Sequence, residues 1–152
     1  MNIMFKLGVM MIGLAVSHIT SADALKHPSQ TQHSGVINPE MLTQFPQWGL
    51  VRTGHSCIEY YQFLPNGEVK IQSNQERILG RYTFLNQANI FELAAVKIDF
   101  VSDNGKPDCT GDATNQSDQS TVNYLKRKSE QEIYFCDDAM GNSCPVYLRP
   151  EK

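Results

Sequence analysis

The 152-residue chain has no excess of basic charge: 13 Lys and Arg stand against 16 Asp and Glu, a net charge of −3. A nucleic-acid partner needs a concentrated cationic face to neutralise phosphates, so that class is excluded. Charge of either sign is sparse, with 19% of residues charged and 41% hydrophobic, which excludes a chain disordered throughout. No apolar run reaches the roughly 20 residues that a membrane-spanning helix needs. Histidine is scarce, and beyond His33 only His55 remains to serve as a base. The chain has no Gly-x-Ser-x-Gly elbow, no Cys-x-x-Cys and no His-x-x-x-His. The sequence signatures of an activated serine and of a zinc site are therefore missing, and nothing calls for a cofactor.

The first 24 residues have the three-part pattern of a secretory signal peptide. Lys6 makes the amino-terminal region positive, Leu7 to Val16 carry no charge, and Ala22-Asp23-Ala24 places small residues at the cleavage positions. No cysteine precedes Cys57, so a lipoprotein cleavage box is absent. The mature chain is expected to begin at Leu25, in the periplasm or outside the cell. Residues 25–38, with His27, Pro28, Ser29, Gln30 and Thr31 at their start, lack apolar periodicity and read as a flexible leader.

Cys57, Cys109, Cys136 and Cys144 all fall in the mature part. An even cysteine count in an exported chain reads as a disulfide framework, and four cysteines allow three pairings. Cys136 and Cys144 bracket a short loop containing Gly141 and Asn142, whose ends must return together. Cys57 and Cys109 are then paired by default.

Residues 39–152 read as a single β-domain with a short helix at its start. Asn38-Pro39-Glu40 combines a helix cap, a proline at the first helical position and an acid in the first turn. Pro46 ends the helix early, leaving Met41, Leu42 and Phe45 as a small apolar face suited to plugging a barrel. Two alternating runs then flank Pro65-Asn66-Gly67, a tight-turn signal, so 57–73 reads as a hairpin. Further strands are expected over 78–85, with Gly80 as a bend, then over 90–101, 121–126, 132–136 and 144–148. Turns this short force antiparallel neighbours. The expected fold is all-β: an antiparallel meander of about seven strands closing, or nearly closing, into a small barrel.

Several strings along the mature chain carry a resemblance. They are Pro46-Gln47-Trp48-Gly49, Cys57-x-Glu59-x-Tyr61-x-Phe63-x-x-Asn66-Gly67, Asp103-Asn104-Gly105-x-x-Asp108-Cys109-x-Gly111, and Cys144-Pro145 near the end. Together they resemble small, exported, lipocalin-like β-domains of bacteria. The resemblance implies a small barrel and, by analogy, carriage of a small apolar ligand. Lipocalins place a glycine two residues before the tryptophan and pack a later arginine on it. In this chain Gly49 follows Trp48, and Arg149 is the candidate arginine.

His55-Ser56 beside Glu59 has triad residue types, but adjacent strand residues point to opposite faces, so no catalytic residue is assigned. Asp99, Asp103, Asp108, Asp112 and Asp118 face only Lys106 within 99–118. The EF-hand order fails there, so no metal ligand is assigned; the segment reads as a solvated loop with an Asn-Gly turn, and beside that as a candidate for meeting a basic partner. Asp108, Asp112 and Asp118 are its candidate contacts. Trp48 and Tyr60 are candidates for an aromatic recognition face. Lys126-Arg127-Lys128 reads as a wet turn that guards a strand edge. The expected function is an exported, non-enzymatic module that binds a protein, of the inhibitor or immunity type.

Overall fold

The computed structural model describes residues 36–152. The expected signal peptide and most of the expected leader lie outside these residues. The leader boundary moves, because Ile37 is buried and belongs to the core. Asn38 acts as the helix cap, its Oδ1 accepting the Met41 N–H at 3.2 Å. Helix α1 (Glu40–Thr43) follows. Its Met41 and Leu42 are buried, and Phe45 meets the Trp48 ring edge-on at 5.0 Å.

Among the described residues eight strands follow: β1 (Trp48–Arg52), β2 (Glu59–Phe63), β3 (Glu68–Ser73), β4 (Glu76–Leu85), β5 (Ala95–Asp103), β6 (Ser120–Arg127), β7 (Ile133–Cys136) and β8 (Val146–Pro150). Each pairs with the next, and β8 pairs with β1, so the barrel is closed. All pairings are antiparallel. The count is eight, not seven, and the added strand is β1. Its first three residues are all buried, so the alternation that marks a half-wet strand is missing. Gly49 is covered because the Glu151 side chain lies over it, where a β-carbon would meet Glu151 Oε1 at 2.5 Å. The expected strand over 90–101 also starts late, at Ala95. Asn89 turns the chain ahead of it, with its Oδ1 accepting the Phe91 N–H, and leaves Ile90 and Phe91 exposed.

The Asn66-Gly67 turn forms as expected, with Gly67 at φ 81° and the Asn66 Oδ1 accepting the Glu68 N–H. Gly80 marks the bend, where the β4–β5 register shifts between Leu79 and Gly80. A β-carbon there would meet the Asp99 carbonyl at 3.0 Å and the Val69 and Ile98 side chains at 3.2 Å. Both disulfides form, Cys57–Cys109 and Cys136–Cys144. They point to an oxidising, extracytoplasmic environment.

The inward faces fill the barrel. Trp48, Phe63, Val69, Ile98, Leu125, Ile133, Phe135 and Leu148 are each 3% exposed or less. Tyr61 packs on Phe63 and Phe135, and Phe63 on Tyr82. An eight-stranded barrel has room for such side chains or for one small ligand, and side chains occupy this one. At one end α1 closes the barrel. The other end carries the loops 53–58, 74–75 and 104–119.

Candidate functional site

The longest loop, 104–119, joins β5 to β6 at the end away from α1. It is pinned from several sides. The Cys57–Cys109 bond ties it to the β1–β2 loop, and the Cys109 N–H donates to Ser73 Oγ at 3.0 Å. The Gln75 N–H donates to the Pro107 carbonyl, and the Asn104 side-chain amide to the Gln75 carbonyl. The Gln116 N–H donates to Asp103 Oδ2 at 2.8 Å.

Within the loop the aspartates act first on their own backbone. Asp108 Oδ1 accepts the Thr110 N–H at 2.7 Å, the Thr110 hydroxyl at 2.8 Å and the Asp112 N–H at 2.9 Å. Asp112 Oδ1 accepts the Thr114 N–H and hydroxyl in the same way. These are side-chain-capped turns of the kind aspartate favours. Burial pushes the Asp108 carboxyl up, but the Thr110 and Asp112 donors outweigh it and hold the group below the usual carboxylate range. At Asp112 the Thr114 bonds dominate, and its pKa too lies low. Both therefore stay charged, with the loop wall behind them. Asp118 sits at φ 66°, a left-handed position that aspartate and asparagine tolerate.

Beneath the loop lies a group of polar residues that alternation along single strands does not disclose. Pairing sets Leu50 opposite Glu59, Glu59 opposite Ser73, and Ser73 opposite Glu76, one row across four strands. Paired residues share a face, so Glu59 and Glu76 point inward at this mouth. Glu76 is only 4% exposed, and the Gln116 side-chain amide donates to its Oε1 at 3.1 Å. Burial raises its pKa; the Gln116 bond opposes the rise, and repulsion from Asp103, Asp108 and Glu59 adds to it. Glu59 is raised by burial and by Asp108, against the Tyr61 hydroxyl and Arg52. Burial and the nearby Glu59 carboxyl push the Tyr61 phenol up, so it remains a donor. The space lined by Arg52, His55, Glu59 and Thr110 is ≈ 20 Å³. That is room for about one water, not for a substrate.

The aromatic candidates separate. Trp48 is fully buried and its indole N–H donates to the Leu42 carbonyl, so it is a core residue and not part of a recognition face. Its size and apolar ring favour burial once a buried acceptor is supplied. Tyr60 lies on the opposite face of the wall, opposite Gly49 and Gln72, and lines an outer groove. Arg149 also pairs with Gly49 and therefore faces outward, bonded to Glu151 at 2.9 Å; it does not pack on Trp48. Lys128 of the basic run pairs with Glu132 and lies over the Tyr134 and Tyr147 rings.

No family model matches the chain, and no curated protein or solved structure is significantly similar to it. Among the described residues, no group of three or more His, Cys, Asp or Glu side chains is placed to hold a metal ion. No helix among them is long and apolar enough to cross a membrane.

Proposed function

We propose that this protein is an exported, non-enzymatic binding module of the inhibitor or immunity type, and that its 104–119 loop meets a basic protein. The observation that carries the reading is the pinned acidic loop, which presents Asp108, Asp112 and Asp118 on a backbone already tied to β3 and to the Cys57–Cys109 bond. A loop ordered beforehand loses little freedom on binding. Its charge speeds encounter with a basic surface, an effect that salt screens. Carriage of an apolar ligand is the weaker reading, because Trp48, Phe63 and Phe135 take the space that cargo would need.

The loop geometry dictates the test. Replacing Asp108, Asp112 and Asp118 by lysine would also remove turn acceptors. Asparagine keeps a side-chain carbonyl at each position and removes only charge. A partner captured from envelope extract at low salt is measured by binding kinetics against the wild type and the Asp108→Asn, Asp112→Asn, Asp118→Asn triple variant. The expected result is a basic partner whose association slows with salt, and a slower, salt-insensitive on-rate for a variant that keeps the wild-type fold. Identical kinetics for both proteins would sink the proposal.

A further inference from the structure

The outer wall of β2, β3 and β4 carries a second surface of opposite charge. Two cross-strand rows build it. One runs Tyr60, Gln72, Arg77, and the other Gln62, Lys70, Leu79, Ser102. Between them, with Gln47 at the edge, lies a groove of ≈ 400 Å³. That size lies within the range of small-ligand sites. No carboxylate is among its lining residues, although the chain as a whole is acidic. Neither Lys70 nor Arg77 is within ion-pair distance of a carboxylate among the described residues; the ion pairs there are Lys97–Asp99, Lys128–Glu132 and Arg149–Glu151.

We infer that this groove binds an acidic polysaccharide. The side chains discriminate between kinds of anion. A bare phosphate or sulfate asks for donors only, which Lys and Arg supply. Gln47, Gln62 and Gln72 each offer a carbonyl as well as an amide N–H pair, matching sugar hydroxyls, which both donate and accept. The Tyr60 ring supplies an apolar face for the C–H side of a pyranose. Lys70 and Arg77 are diagonal neighbours on adjacent strands, so the positive charge is spread along the wall rather than focused at one point. The groove is partly open to solvent, which suits a chain lying across it more than a ligand enclosed on all sides. Arg77 is already oriented, its Nη1 donating to the Asn74 and Glu76 carbonyls.

The test uses the exported protein, ¹⁵N-labelled, titrated in low salt with oligogalacturonate, neutral dextran and polyphosphate matched in charge to the oligogalacturonate. The expected result is that oligogalacturonate moves backbone resonances at 60–62, 70–72 and 77–79, that dextran moves none, and that polyphosphate binds about tenfold more weakly. Tyr60→Ala is expected to weaken oligogalacturonate binding about tenfold. Lys70→Glu, at an exposed position of β3, keeps the test intact should Tyr60→Ala disturb the wall, and it is expected to abolish binding. Resonance changes centred on Lys126 to Lys128, or polyphosphate binding as tight as oligogalacturonate, would overturn the assignment. So would unchanged affinity in Lys70→Glu. The readouts are independent of the acidic loop, so failure of one reading leaves the other standing.

Discussion

The Trp48 indole N–H donates to the Leu42 carbonyl at 2.7 Å, joining the wall of the barrel to the helix that plugs it. Both residues are fully buried. The bond satisfies a carbonyl at the end of a helix too short to use all its own acceptors. Trp48→Phe keeps most of the apolar area but leaves that carbonyl unpaired, at a cost of about 1–3 kcal/mol. Leu42→Ala opens a cavity under the same plug and is expected to cost about 2–5 kcal/mol. Urea denaturation measures both; loss of less than half a kcal/mol in each would show that the plug does not hold the barrel.

The two disulfides close loops of very different length, with sequence separations of 52 and 8. In the chain-entropy model these contribute about 4 and about 2.5 kcal/mol respectively. Replacing Cys57 and Cys109 by serine is therefore expected to cost more than replacing Cys136 and Cys144. The first pair also anchors the 104–119 loop, so its loss should raise amide exchange at residues 108–114 before global unfolding. Equal thermal shifts for the two double variants, with no local change in exchange, would contradict this.

Glu76 makes the barrel mouth sensitive to pH. Its pKa is raised in the folded protein, chiefly by burial. The favourable contribution of the protonated form is thus complete below the ordinary carboxylate value of 4.5 and is lost as pH rises through the folded value. Glu76→Gln mimics the protonated group and keeps a carbonyl for the Gln116 amide. The variant is expected to melt a few degrees above wild type at pH 7, with the gap closing near pH 4. A variant less stable than wild type at pH 7 would mean that the charge itself is needed there.

Much of the fold was legible because local chemistry and global pairing agree. The Asn66-Gly67 turn sets the β2–β3 register, and Asn38 with Pro39 starts α1 where a cap and a proline belong. The cysteine pairing followed from one short loop. What stayed hidden depended on register or on covering residues far along the chain. Strand β1 is masked by Gly49, whose burial comes from Glu151. Phe91 and Leu93 continue an apolar pattern into a turn made by Asn89. The Glu59–Ser73–Glu76 row exists only across strands, so no window along the chain contains it. Trp48 and Tyr60 were both plausible on an aromatic face, and only pairing separates the inward ring from the outward one.

Asp108 controls whether the acidic loop is a rigid surface or a loose one. One oxygen of its carboxylate gathers the Thr110 N–H, the Thr110 hydroxyl and the Asp112 N–H. Its pKa is lowered on folding, the hydrogen bonds outweighing the effect of burial. That contribution is present above the ordinary value of 3.8 and is lost as pH falls through the folded value. The loop should therefore loosen in acid while the mouth beneath it, with Glu76 protonated, tightens. Asp108→Ala removes all three acceptor contacts and is expected to speed amide exchange at Thr110 and Asp112 by roughly tenfold at neutral pH. Asp108→Asn retains a carbonyl and should restore most of the protection, without the acid transition. The Cys57–Cys109 bond remains in both variants, so the loop stays attached and only its internal order is read. Protection in Asp108→Ala equal to wild type would show that the disulfide and the Ser73 contact suffice to order the loop, leaving the carboxylate free for a partner.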